Sequence, residues 1–313
     1  MSDHVASPIR FVTVGVSDLE RARAFYTSVF GWVAHGEHQV QVSDEQLAHW
    51  GAPAGASGPQ TILGPADERY GLLRLVAVEP SGQRIRNYRR VEDEGHYALN
   101  VRAADIGETW ERMLASGAEP KSEPTYWVVN SEIAATDSQC FDPDGMLLDV
   151  FEVHGDALGP VEGRASNLQT MAIRVDDAER SAAYYGDLGF EVLYDRRIDD
   201  LGEFFHLPAG VAMRNINLHM PAVHANGRIE IAGLEGASGT PVTDRAGPPN
   251  IGMWSITFET ADIARSLEIT HRHGGATRHE PRTLDVPGLG SGLLAYAHGP
   301  DGEAVEFFQP ASD

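Results

Sequence analysis

The sequence predicts an α+β protein of two related domains, and three observations carry that expectation. The chain has 313 residues, a strand followed by a capped helix recurs along it, and one set of paired motifs stands 157 residues apart. This length exceeds the usual size of one hydrophobic core, so two domains of roughly 150 residues are expected. With 42% hydrophobic and 22% charged residues, each half can bury a core beneath an ordinary polar surface.

The first unit opens with a period-two strand over 11–16, followed by Ser17 and Asp18, a helix from residue 19, then Gly31 and Trp32. Its copy runs over 171–175, Asp176 and Asp177, a helix from residue 178, then Gly189 and Phe190. Each aspartate stands where its side chain can accept the helix's first free amides, and each glycine where a helix stops. A second kind of unit follows. Residues 96–101 with Ala104-Asp105-Ile106 match 253–258 with Ala261-Asp262-Ile263, and Pro143-Asp144-Gly145 matches Pro300-Asp301-Gly302. The Pro-Asp-Gly elements are tight turns, proline fixing φ early and glycine accepting a positive φ, and each launches a closing strand. The order is module A (about 8–80), B (about 94–153), A′ (about 167–235) and B′ (about 250–309). Residues 155–167 and 236–250, rich in small, polar and proline residues, read as connections.

Charge and cysteine usage narrow the partners. A net charge of −22, from 46 acidic and 24 basic residues, repels nucleic acid and anionic lipid. No apolar run reaches the roughly 18 residues of a membrane span. Residues 1–10 lack the basic flank and apolar stretch of a signal peptide, and Cys140 stands alone, so a reducing cytoplasm is expected. The expected partner is a small molecule, with neither nucleic acid nor membrane involved, and a homodimer is the assembly considered.

These units resemble the βαβββ modules of the glyoxalase, bleomycin-resistance and type I extradiol dioxygenase superfamily, the vicinal oxygen chelate proteins, over nearly the whole chain. The resemblance implies four modules paired into two domains, 1–153 from A and B and 167–313 from A′ and B′, with 154–166 between them. Each domain would be an eight-stranded curved sheet around a cavity. Tyr296, ten residues ahead of Glu306, looks most like the two-domain extradiol form. In that form the C-terminal domain holds iron with a histidine on the first strand of each module and a carboxylate on the last, and a nearby tyrosine orients a catechol. Carried onto this sequence, the histidine positions fall on Phe11, His96, Thr170 and Met253, and the carboxylate positions on Asp149 and Glu306. Glyoxalase-type members add a carboxylate near the place of Glu230. One histidine in four positions leaves the ordinary two-imidazole, one-carboxylate iron centre unassembled.

Strand parity then predicts the cleft linings. An N-terminal cleft would present Phe11, Thr13, His96, Ala98, Asn100, Asp149 and Phe151, with Arg74 beside them. A C-terminal cleft would present Thr170, Ala172, Arg174, Ser255, Thr257, Tyr296 and Glu306, with Glu230 beside them. His96 with Asp149 reads as part of a metal site, as a general-base pair, or as an interior histidine next to an Arg74–Asp149 ion pair. Glu230 with Glu306 reads as two metal ligands, as an acid/base pair, or as a surface glutamate and a buried one. Tyr296, His96 and Glu306 are the candidate catalytic groups, and Arg174, Thr257, Tyr296, Asn100 and Arg74 the candidate substrate contacts. His219 and His224 align loosely with a further family histidine, and the glycine-rich stretches 51–58 and 288–292 are expected as flaps.

Two functions follow as expectations. One is a dioxygenase, lyase or isomerase of the superfamily type, acting on a small oxygenated molecule, aromatic or polyketide-like, through a non-standard metal site. Its cofactor would be one divalent metal (Fe, Zn or Mn) or none. The other is a metal-free binding protein of the drug-sequestering kind. The single histidine favours the second; the retained His96, Asp149, Tyr296 and Glu306 favour the first.

Overall fold

The computed structural model describes residues 4–311 apart from 130, 132, 156, 157, 200 and 222–225. Module A supplies β1 (Ala6–Gly15), α1 (Leu19–Phe30), β2 (Val33–Ala34), β3 (Val40–Gln41), α2 (Asp44–His49), β4 (Pro59–Gly64) and β5 (Leu72–Val76). Module B supplies β6 (Gly95–Ala103), α3 (Ile106–Ala115), β7 (Glu119–Val128), β8 (Ala134–Phe141) and β9 (Leu147–His154). Module A′ supplies β10 (Ala165–Val175), α4 (Ala178–Leu188), β11 (Glu191–Ile198), α5 (Gly202–Phe205), β12 (Ala212–His219) and β13 (Arg228–Glu235). Module B′ supplies β14 (Gly252–Thr260), α6 (Ile263–Arg272), β15 (Ala276–Val286), β16 (Gly290–His298) and β17 (Ala304–Pro310).

All four long helices start as the repeat predicts. Asp18, Asp105, Asp177 and Asp262 accept from the backbone amides of Arg21, Glu108, Arg180 and Arg265 at 2.8–3.0 Å. Each such cap is worth about 1 kcal/mol. Gly31 and Gly189 end α1 and α4 at φ 74° and 113°, a conformation that a β-carbon would strain.

The strands form two curved sheets, and each sheet draws on both halves of the sequence. One runs β15-β16-β17-β14-β1-β5-β4-β2, with β3 also on β4; the other runs β11-β12-β13-β10-β6-β9-β8-β7. Module A therefore shares its sheet with B′, and module B with A′. The expectation that each half closes its own sheet, A with B and A′ with B′, is corrected. A repeat fixes that the modules are equivalent, but any A-type opening strand can pair antiparallel with any B-type one. β1 pairs with β14 and β10 with β6 in that way.

The helical sides pair differently, within each half: α1 packs on α3 and α4 on α6. The two Pro-Asp-Gly turns staple these halves. Asp144 accepts from Ser17 and from Arg21 at 2.8 Å, and Asp301, almost wholly buried, accepts from Asp176 N at 3.2 Å, from Arg180 at 2.8 Å and from Ser181. Strands cross between halves while helices and turns hold each half together, so one core cluster runs from Val12 and Tyr26 through Leu99 and Ile173 to Phe307. Among the described residues no helix is long and apolar enough to cross a membrane.

Candidate functional site

The concave face of the β6/β10 sheet holds a narrow cavity of about 60 Å³, several times what one water molecule needs. Register places its polar side chains. Asn100 on β6 pairs with Thr170 on β10, Asp149 on β9 lies beside Asn100, and Glu230 on β13 lies beside Asn217 on β12. Asp137 from β8, Trp127 from β7, Tyr194 from β11, and Phe151, Phe205 and Arg228 complete the wall. Period-two alternation explains the set, because Asn215 and Asn217 face inward while the flanking Ile216 and Leu218 enter the core on the other face.

Three carboxyl groups dominate this cavity. Burial pushes Asp149 up to about 7, against the attraction of Lys121 and a hydrogen bond from Gln139. Burial, then the charge of Asp149, pushes Glu230 to about 7, although Asn215 and Asn100 both donate to it, the latter at 3.1 Å. Asp137 is raised well above the usual carboxylate range by burial and by Asp149, even though Trp127 Nε1 donates to it at 2.9 Å. Burial lowers the Lys121 amine to about 8. Like charges confined in a low-dielectric space cannot all ionise, so the trio holds protons near neutrality. Asn100 Oδ1, Asn215 Oδ1, Asn217 Oδ1, Asp137 Oδ1 and Asp149 Oδ1 are buried acceptors without a hydrogen-bond partner in the protein.

Of the sequence-derived candidates, Asn100, Asp149, Phe151, Thr170 and Glu230 come together here, drawn from both predicted clefts, whereas His96, Arg174, Arg74, Thr257, Tyr296 and Glu306 lie elsewhere. His96 is corrected out of this site. The position that faces Thr170 lies five residues before its cap (105 − 100), whereas Thr170 lies seven before its own (177 − 170). A count that reaches His96 overshoots by four residues, about 13 Å along a strand. A register shift between Ala98 and His96 pairs His96 with Ile173 rather than with the face of Asn100; its Nε2 shares a 3.0 Å hydrogen bond with the carbonyl of Ala304, and burial lowers it to about 4. The same overshoot put Met253 where Thr257 stands, since Thr257 is the residue paired with Phe11. Arg174 lines neither cleft. It is buried with Nε donating to Val91 O at 2.8 Å and Nη1 donating to Ala232 O.

Crossed pairing also separates Glu230 from Glu306 and Asp149 from Arg74. Glu306, Thr257, Tyr296 and Arg74 lie on the other sheet, beneath α2, a cover that strand-based reasoning missed. Thr257 Oγ1 donates to Glu306 at 2.6 Å, Trp50 Nε1 donates to its other oxygen, and Arg74 stands 3.9 Å away. Arg74 stacks on Phe11 at 4.3 Å, so an aromatic ring fills that ligand position. Tyr296 donates to Ala246 O at 3.3 Å. The 51–58 stretch continues from α2, and Gly288 lies in the β15–β16 turn against Phe11 and Ile62. His219 ends β12, and His224 lies outside the described residues.

The resemblance implies a divalent metal, and the donors can be tested against it. Thr170, Asn100, Glu230 and Asp149 occupy the opening and closing strands of one cleft, and Phe11, Thr257, Arg74 and Glu306 the equivalent places of the other. Neither set contains an imidazole or thiolate, so neither fits the nitrogen-ligated iron or zinc centre. Among the described residues no three His, Cys, Asp or Glu side chains are grouped to hold a metal ion.

Comparison with known proteins agrees with the repeat. Glyoxalase I from Zea mays superposes with a TM-score of 0.66 at 19% identity, covering 97% of this chain and 93% of the maize chain. A candidate dioxygenase from Bacillus subtilis superposes at 0.61 with 11% identity, covering 99% of this chain and 87% of its own. At these identities both show a shared fold. No curated protein sequence matches. The family model described as Glyoxalase/Bleomycin resistance protein/Dioxygenase superfamily matches residues 3–150 and again 167–307, and the chain therefore belongs to that superfamily.

Proposed function

We propose that the β6/β10 cleft is the active site of a proton-transferring enzyme, an isomerase or lyase, acting on a small hydroxylated carbonyl compound. The observation that carries this reading is the set of cavity carboxyls, Asp137 and Asp149 buried and Glu230 partly buried, two of them raised to about 7. A carboxyl that titrates near the working pH serves as either general acid or general base. Glu230, oriented by Asn100 and Asn215, takes a proton from the carbon beside the substrate carbonyl. Protonated Asp149 gives one to the carbonyl oxygen, and an enol forms. The enediol then takes a proton from Glu230 at the former carbonyl carbon, while the hydroxyl on the carbon first deprotonated gives its proton to Asp149 and becomes the new carbonyl, which completes an isomerisation with both carboxyls restored. The orphaned acceptor oxygens call for ligand hydroxyls, and Trp127, Tyr194 and Phe151 suit a flat body. The donors lack the imidazole or thiolate of an iron or zinc centre, and the step is therefore assigned to the carboxyls of the chain itself.

A binding protein without turnover is the second reading, favoured by the aromatic wall. Both are tested by proton NMR in deuterated buffer with 2-hydroxyacetophenone as probe. Enzyme-dependent loss of its methylene signal, reduced at least about a hundredfold in Glu230→Gln, is expected for acid/base catalysis. Saturable binding with no exchange above background would establish the binding reading instead. Stoichiometric metal held at Asp149 and Glu230 would overturn the metal-independent mechanism.

A further inference from the structure

The cleft on the other sheet has the opposite electrostatic character and its own unexplained polar groups. Arg74 on β5 is wholly buried, and Nε, Nη1 and Nη2 all lack a hydrogen-bond partner. Among the described residues its carboxylate neighbour is Glu306, which stands 3.9 Å off, beyond hydrogen-bond reach, and is engaged by Thr257 and Trp50. Thr13 and Ser255 occupy neighbouring places on the same face, Thr13 pairing with both Arg74 and Ser255, and neither hydroxyl has a partner. Gln60, two residues along β4 from the partner of Arg74, and Gln46, which α2 buries, leave both side-chain polar atoms unpaired. Native interiors rarely leave one such group unsatisfied, and a guanidinium least of all.

Charge indicates what satisfies them. Arg10 and Arg74 are near enough to repel each other, but Arg10 is paired with Glu259 at 3.2 Å, whereas Glu306 stands 3.9 Å from Arg74. Burial, then His279 and Arg282 from β15, lower His49 to about 4, so its imidazole carries no charge near neutrality, and of these three groups Arg74 is the buried cation without a hydrogen-bonded anion. A solvent-connected cavity of about 450 Å³, lined by Arg10, Phe11, Gln60, Ile62 and Gly288, with Glu37 at its edge, opens beside the Phe11 ring. The Arg74 guanidinium stacks on that ring at 4.3 Å, outside the cavity's own lining. A planar carboxylate matches the guanidinium fork, leaving the amides and hydroxyls to hold its remaining lone pairs.

We infer that this second cleft is a binding site for a small monocarboxylate, held by Arg74 with Gln46, Gln60, Thr13 and Ser255, entered past Phe11 and covered by α2. The site is independent of the carboxyl trio on the other sheet, and its occupant has the opposite charge preference.

Titration calorimetry on the full chain tests this with benzoate and butyrate, with benzamide and butyramide as uncharged counterparts. At least one acid is expected to bind with a Kd on the order of 1 mM or tighter, and its amide about tenfold more weakly. Arg74→Gln and Gln46→Leu should each weaken the acid about tenfold or more. Gln46→Leu, on the covering helix, keeps the test decisive if Arg74→Gln does not fold. Absence of saturable binding by either acid, equal binding of acid and amide, or affinity unchanged in Gln46→Leu would overturn the inference. So would an affinity that falls in Asp149→Asn but not in Gln46→Leu, because the acid would then occupy the other cleft.

Discussion

Replacing Asp149 by asparagine should stabilise the protein at alkaline pH and leave it unchanged in acid. Asp149 is 8% exposed, and its carboxyl moves from an ordinary 3.8 to about 7 in the fold. Between these values the unfolded chain has released this proton and the folded chain still holds it, so stability falls as pH rises through that window. The gap of about 3 units corresponds to about 4 kcal/mol, fully lost above pH 7. Asparagine has nearly the same shape and never ionises. Its advantage should therefore be absent at pH 4, grow between pH 4 and 7, and level off above. The figure is an upper bound, because Asp137 and Glu230 share the repulsion and Lys121 loses a counter-charge in the variant. A gain of about 2 kcal/mol at pH 8 would raise Tm by about 3 °C in a chain of 313 residues. The assay is thermal unfolding of both proteins from pH 4 to 9. A difference in Tm that is constant across this range, or that favours the wild type as pH rises, would refute the argument that burial holds a proton on Asp149.

Three further outcomes are expected. His96→Ala should cost about 2 kcal/mol by leaving a void and an unpaired Ala304 carbonyl, measured by urea unfolding, while ligand affinity in the β6/β10 cleft stays unchanged. Asp301→Ala should destabilise by about 2–4 kcal/mol, because it strips partners from Asp176 N, Arg180 and Ser181; the loss should appear as a lower denaturant midpoint. Glu230→Gln should abolish the rising, acid-side limb that the general base gives to the pH profile of proton exchange, with binding of 2-hydroxyacetophenone retained; a profile identical to that of the wild type would remove Glu230 from the proton-transfer role.

Much of this molecule was legible before any coordinates. Asp18, Asp105, Asp177 and Asp262 announce four helix starts because a cap is a local hydrogen bond, satisfied within three residues of chain. Gly31 and Gly189 mark two helix ends for an equally local reason, the sign of φ. Asp149, Glu230 and Asn100 could be nominated from strand parity, which needs no more than a period of two. The polar alternation of Asn215 and Asn217 offered the same signal for an inward face. Asp137, Trp127 and Tyr194 had no such marker, since their place in the cavity depends on how far β7, β8 and β11 curl around it.

The sequence by itself determined the repeated unit, its helices and turns, and which strand positions could face a cavity. Tertiary structure alone decided which positions share one. Pairing A with B or with B′ satisfies the same hydrophobic pattern and the same backbone hydrogen bonds, so local chemistry does not distinguish them. The crossed sheets bring Glu230 to Asp149 and take both away from Glu306. The count along β6 was ambiguous in a similar way: His96 and Asn100 share a numerical parity, but a register shift between Ala98 and His96 sets His96 opposite Ile173, off the face that Asn100 shares with Thr170. A one-dimensional pattern fixes the side of a strand on which a residue lies only where the ladder is regular; its partner across the sheet is fixed by packing of the whole chain.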